Sequence, residues 1–151
     1  MHVQRLTRGH LRRGFTLPEI LIVIVMISLL ALLAIPRFAT ANGKRHMESA
    51  RMRVAAAIAT ARAAAIQKGE TVTFKIENDR VTVKASSDTT DLVSPVPIKT
   101  LYSVSTNGSD YTISFTSRGF ATLGAKTVIN LTRPGVPTDS VVIRKSGMVQ
   151  R

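Results

Sequence analysis

The sequence predicts an α+β protein: one long N-terminal helix, transmembrane and then amphipathic, packed on a small antiparallel β-sheet or β-sandwich head. Three observations predict it. From Ile20 to Ile35 the chain is apolar except for Ser28, so a helix there is greasy on every side. Between Met47 and Ala65, apolar residues recur at helical spacing. After Gly69 the pattern alternates with period two and is punctuated by turn dipeptides.

Composition bounds what such a chain does. It has 151 residues, 44% hydrophobic, with no Cys, no Trp and two Tyr. The apolar run takes part of that hydrophobic content, which leaves a modest aliphatic core for the head. Without Cys there is no disulfide and no thiolate metal site. The formal charge is +12. Arg5, Arg8, Arg12 and Arg13 stand before the apolar run. Removing these four from the 21 basic residues leaves 17 against 9 acidic ones over 15–151, a net of +8. Such a surplus suits an anionic partner, nucleic acid or a membrane surface.

The 21 residues Phe15–Ile35 match the ~20 needed to cross a bilayer as a helix. A conventional secretory signal is the alternative, with Ala31, Ala34 and Ala39 as a loose cleavage site. The arginines ahead of the segment favour an N-terminus held in the cytoplasm, with the rest of the chain outside. Glu19, at the threshold of the apolar run, needs a partner. A charge at bilayer depth costs roughly 2.5–3.5 kcal/mol on the mildest scale. Its simplest role is that of an acid at a helix start, favoured by the dipole by ~0.3–1 kcal/mol. Pro18 fits the first turn of a helix, and Pro36 predicts a kink or a loosened turn.

Beyond Pro36 the helix resumes with Met47, Ala50, Val54, Ile58, Ala61 and Ala65 on one face and Arg53, Thr60 and Gln67 away from it. Asn42-Gly43 is its weak point, and Lys68-Gly69 is its stop. Three hairpins then follow. TVTFKI and RVTVKA flank Glu77-Asn78-Asp79, and TLYSVST and YTISFTS flank Asn107-Gly108-Ser109. KTVINLT and SVVIRKS enclose the span from Arg133 to Pro137. Residues 88–97 read as an exposed loop with a short strand at most.

A short basic leader ending in Gly14, then Phe-Thr-Leu-Pro-Glu, then an apolar run resembles the class III signal of type IV pilins and type II secretion pseudopilins. The resemblance implies a leader over 1–14, an assembly helix over 15–36, its amphipathic continuation over 37–68 and a β-rich periplasmic head over 69–151. It implies that a prepilin peptidase cuts between Gly14 and Phe15 and N-methylates Phe15. Glu19 would then pair with the Phe15 ammonium of a neighbouring subunit in the low-dielectric interior, which sets the assembly register. Pro36 would permit local melting within a filament. The partners implied are the peptidase, other pilins or pseudopilins, and the inner membrane.

The C-terminal half narrows the resemblance. Phe115-Thr-Ser-Arg-Gly119, a hairpin, and the tail Val-Val-Ile-Arg-Lys-Ser-Gly147-Met-Val-Gln-Arg151 are similar to the GspH/FimT type of minor pilin. GspH-like members serve the type II secretion pseudopilus. FimT-like members bind DNA for uptake through arginines around the C-terminal glycine. Arg118, Lys126, Arg133, Arg144, Lys145 and Arg151 against Asp139 alone give 118–151 a net charge of +5, which suits phosphate backbones held without sequence readout. Two features depart from the DNA-binding pattern. Apolar Met148 stands where those members carry arginine, and no aromatic platform accompanies the patch. The alternative is a solvated basic face.

The remaining chemistry is sparse. His46 is the single histidine after the leader, so no histidine dyad or zinc cluster is expected. No phosphate loop, GxGxxG or Gly-x-Ser-x-Gly elbow occurs. The expectation is a structural protein that is processed by an enzyme and is not one itself, with no cofactor and no metal.

Overall fold

The structure, a computed structural model, describes residues 14–88, 90–124 and 126–150. Its contacts fall into two units, one ending at Phe38 and the other running from Ala39. The predicted leader, apart from Gly14, lies outside the described residues, as does Arg151.

Helix α1, Leu17–Lys68, enters both units. Its start carries one arm of a capping box. The Thr16 carbonyl accepts the Ile20 N–H at 3.2 Å, and Glu19 Oε2 accepts the Thr16 N–H at 3.4 Å. Its first half is apolar and exposed, long enough to cross a membrane. The polar group inside that half, the Ser28 hydroxyl, donates to the Ile24 carbonyl at 2.8 Å, which is how a hydroxyl is satisfied without water.

At the positions where the sequence predicts a weakness, the helix stays continuous. The helix runs through Pro36 and Asn42-Gly43 without a break. Gly43 has a packing reason instead: a Cβ there would lie 2.7 Å from Val136 Cγ2. What reads in sequence as a helix breaker is the place where a strand lies against helix backbone.

The buried face of α1 is Met47, Ala50, Val54, Ala57, Ile58, Ala61 and Ala65. Arg53, Thr60 and Gln67 are exposed, as predicted. Against that face lie two antiparallel sheets. One has strand order β3-β2-β1-β4, from β1 (Val72–Glu77), β2 (Arg80–Ala85), β3 (Val96–Pro97) and β4 (Tyr111–Phe115). The other has order β5-β6-β7, from β5 (Thr127–Arg133), β6 (Val136–Ile143) and β7 (Val149–Gln150). Alternate residues face inward: Val72, Phe74 and Ile76 on β1, Ile113 and Phe115 on β4, Ile129 and Leu131 on β5.

The first predicted hairpin forms. Asn78 and Asp79 both take positive φ, and Glu77 pairs with Arg80, so the turn matches the strand twist. The third forms more tightly than predicted, around Pro134-Gly135, with Arg133 opposite Val136. Pro137 therefore sits inside β6. It is tolerated because the register shifts there and Thr132, opposite, exchanges both its backbone bonds with Ser105 (2.8 and 2.9 Å). The second predicted hairpin is a correction. The Asn107-Gly108 turn exists, with both residues at positive φ, but its first arm is a short helix α2, Ile98–Tyr102, and β4 pairs with β1. Asp79 accounts for this. Its carboxylate accepts the Thr106 N–H (2.7 Å) and the Ser105 and Thr106 hydroxyls, and its carbonyl accepts the Ile98 N–H. The segment before the turn is thereby held to the tip of the first hairpin.

Candidate functional site

Two regions carry the predicted site residues. At the start of α1, Gly14, Phe15 and Thr16 precede the helix, and Phe15 is 78% exposed. The Gly14–Phe15 bond is therefore in an accessible, non-helical stretch. Glu19 lies in the first helical turn, where capping the Thr16 N–H engages one carboxylate oxygen. Pro36 lies within the helix.

The second region is one end of the head. The turn at Thr116–Gly119 closes with a 2.7 Å bond, and the turn at Arg144–Gly147 closes with one of 2.9 Å. The Ala121 N–H donates to the Lys145 carbonyl at 3.0 Å and joins the two. The glycines meet backbone to backbone. Gly119 has φ +77 and Gly147 has φ +73, and a Cβ on Gly147 would lie 2.4 Å from the Gly119 carbonyl oxygen. Arg62 of α1 closes the arrangement by donating Nε–H to that same oxygen at 3.1 Å, with its Cδ against Gly147. The two glycine segments that support the GspH/FimT resemblance are thus one structural unit seated on the helix.

This unit sorts the predicted cations. Arg118 and Lys145 are exposed on the two turns. Arg144 is exposed and donates Nε–H and Nη2–H to Gln150 Oε1 at 3.2 and 2.8 Å. Lys126 precedes Thr127, which pairs with Ile143, so it belongs to the same end. Arg133 does not. It stands at the far end of the β5–β6 hairpin, about 20 Å away at ~3.4 Å per residue, and donates Nη1–H to the Tyr102 carbonyl. No carboxylate among the described residues pairs with Arg62, Arg118, Lys126, Arg144 or Lys145.

Two residues of this end escape sequence reasoning. Arg62 is the single charge in the alanine-rich stretch 55–66, a signal that could have marked it. Phe120 corrects the expectation that no aromatic accompanies the patch. It follows Gly119 directly and is 55% exposed, because Ala121 takes the inward position.

Residues 10–35 match the family model described as the prokaryotic N-terminal methylation motif. The fold is similar to that of the type IV minor pilin FimU of Pseudomonas aeruginosa (strain PAO1) in two crystal forms. In space group P65 the TM-score is 0.54 at 15% identity, covering 68% of this chain and 90% of FimU. In P21 it is 0.55 at 13% identity, covering 71% and 88%. No curated protein matches the chain in sequence. The head and its helix have the pilin fold. That fold is joined to an N-terminal segment that carries the methylation motif.

Proposed function

We propose that the chain is a minor pilin or pseudopilin of the GspH/FimT kind. It is a structural subunit cleaved between Gly14 and Phe15, N-methylated on Phe15, and anchored in the inner membrane by residues 15–36 with its head in the periplasm. It polymerises through α1 into a type II secretion pseudopilus or a type IV pilus. The observation that carries this reading is an apolar span, exposed on every side, with one carboxylate at its threshold. Capping of Thr16 takes Oε2 of Glu19 and leaves Oε1 for the Phe15 ammonium of a neighbour, so one side chain serves both the helix start and assembly. In a low dielectric a matched pair offsets much of the desolvation cost that a lone carboxylate would bear. The outward face of α1 adds to this. Met52 and Ala56 are exposed four residues apart, an apolar surface that a filament neighbour would cover.

Mass spectrometry of the membrane-extracted protein, from cells with an active prepilin peptidase, tests the reading. A chain that begins at Phe15 and carries one extra methyl group is expected, and Glu19→Ala should be processed yet incorporate poorly into filaments. A leader still attached in such cells overturns it.

A second reading is favoured by the gathering of Arg118, Lys126, Arg144 and Lys145 with Arg62 at one end of the head, none of them paired with a carboxylate among the described residues. On it the subunit binds nucleic acid through phosphate contacts, in the manner of the FimT-like members.

A further inference from the structure

Three exposed apolar side chains stand among the cations around the paired glycines. Ile66 is 51% exposed, Phe120 55% and Met148 60%. Each is tied to the glycine pair: Phe120 follows Gly119, Met148 follows Gly147, and the Ile66 side chain reaches within 2.7 Å of where a Gly119 Cβ would be. An open groove of about 540 Å³ runs beside Ile66 and Met148, lined also by Ala59, Arg62 and Ala63. Phosphate capture alone uses only the charges and leaves this apolar surface in water. A duplex does nothing for it, because its base faces are stacked inside. An unpaired base has an apolar face to lay on an aromatic ring and a phosphate to meet the neighbouring cations.

Building on the nucleic-acid reading above, we propose that this end of the head is a single-stranded nucleic-acid site. Phe120 is its stacking surface, Met148 and Ile66 form its apolar margin, and Arg118, Lys126, Arg144 and Lys145 hold its phosphates. The occupant is a flexible strand with at least one base splayed out. The charge complementarity is one-sided, since no carboxylate among the described residues forms an ion pair with these cations. The Gly119–Gly147 contact holds the turn that presents Phe120 against the turn that presents Lys145, so the backbones that carry ring and charge are held together.

The test is fluorescence anisotropy with the full chain in detergent micelles, using a labelled 20-nucleotide oligo(dT) and a labelled duplex of the same length at low salt (about 20 nucleotides exceeds one site). Oligo(dT) should bind more tightly than the duplex. Phe120→Ala should weaken oligo(dT) binding roughly tenfold, within the range of one stacked base, and leave duplex binding unchanged. Phe120→Tyr should restore it, and Phe120→Leu, which keeps the bulk, should not. Arg118→Gln with Lys145→Gln should weaken both probes. Equal binding of the two probes, or an equal effect of Phe120→Ala on both, overturns the stacking site and leaves backbone capture standing. No binding of either probe removes the nucleic-acid reading itself and this site with it.

Discussion

Asp79 shows how one carboxylate decides a local path of the chain. It sits at positive φ in the first hairpin turn, its side chain 11% exposed, and holds Ser105, Thr106 and, through its carbonyl, Ile98. Burial pushes its carboxyl up. The Thr106 N–H, the Ser105 and Thr106 hydroxyls and Lys99 outweigh burial and hold it below its ordinary value. A group depressed in the folded state contributes stability that is present above its unfolded value and is lost as pH falls through the folded one. With an unfolded aspartate near ~3.9, that loss belongs to the region below about pH 4. Asp79→Asn keeps an acceptor but not the charge, and should cost about 1 kcal/mol near neutral pH, the difference between charged and neutral hydrogen bonds. It should also flatten the acid limb of a stability–pH curve from urea melts. Part of that limb should survive, because Ser87 lowers Glu70 and Thr90 lowers Asp88. An acid limb unchanged by Asp79→Asn would show that the carboxyl is not depressed.

At the scale of elements, the legible parts were those fixed by near neighbours. The buried face of α1 follows from spacing alone, and the turns at Asn78-Asp79 and Pro134-Gly135 follow from dipeptides with a conformational preference. Residues 100–106 were misread for a physical reason. Val104 and Thr106 are buried at alternate positions, as in a strand, yet their segment is bound to Asp79 and Thr132 instead of to β4. Period-two burial without a ladder leaves the same trace in sequence as a strand does. The methylation motif over 10–35 was legible because its residues are contiguous. The Arg62–Gly119 bond spans 57 positions, and no local pattern announces it. The two glycine turns provide a sharp comparison. Gly147 has φ +73 with a backbone oxygen 2.4 Å from any Cβ, while Gly69 has φ +66 with nothing within 4 Å. Gly69→Ala should cost only the left-handed penalty, about 1–2 kcal/mol. Gly147→Ala adds a backbone collision and should cost at least about 3 kcal/mol, combining that strain with overpacking. Urea midpoints of the two variants decide it, and equal losses would mean that the turns are not packed together.

Over the whole molecule, the basic surplus is either spread or focused, and salt dependence separates the two. Residues 15–151 carry a net +8, so any polyanion is attracted weakly wherever it lands. A focused site behaves differently: each phosphate neutralised releases counterions, and the logarithm of affinity falls with the logarithm of salt in proportion to the contacts made. Four cations gathered at one end, Arg118, Lys126, Arg144 and Lys145, predict a slope of about −3 for a single strand, at ~0.7 per phosphate. Arg144→Gln with Lys145→Gln should remove about 1.4 from that slope. Arg133→Gln should leave it unchanged, because that guanidinium lies at the opposite end of the β5–β6 hairpin and is spent on the Tyr102 carbonyl. If neutralising Arg133 lowers the slope as much as neutralising Arg144 does, the strand is sampling the whole basic surface. The gathering of charge around the two glycines would then be a property of the fold alone, with no bearing on what the filament binds.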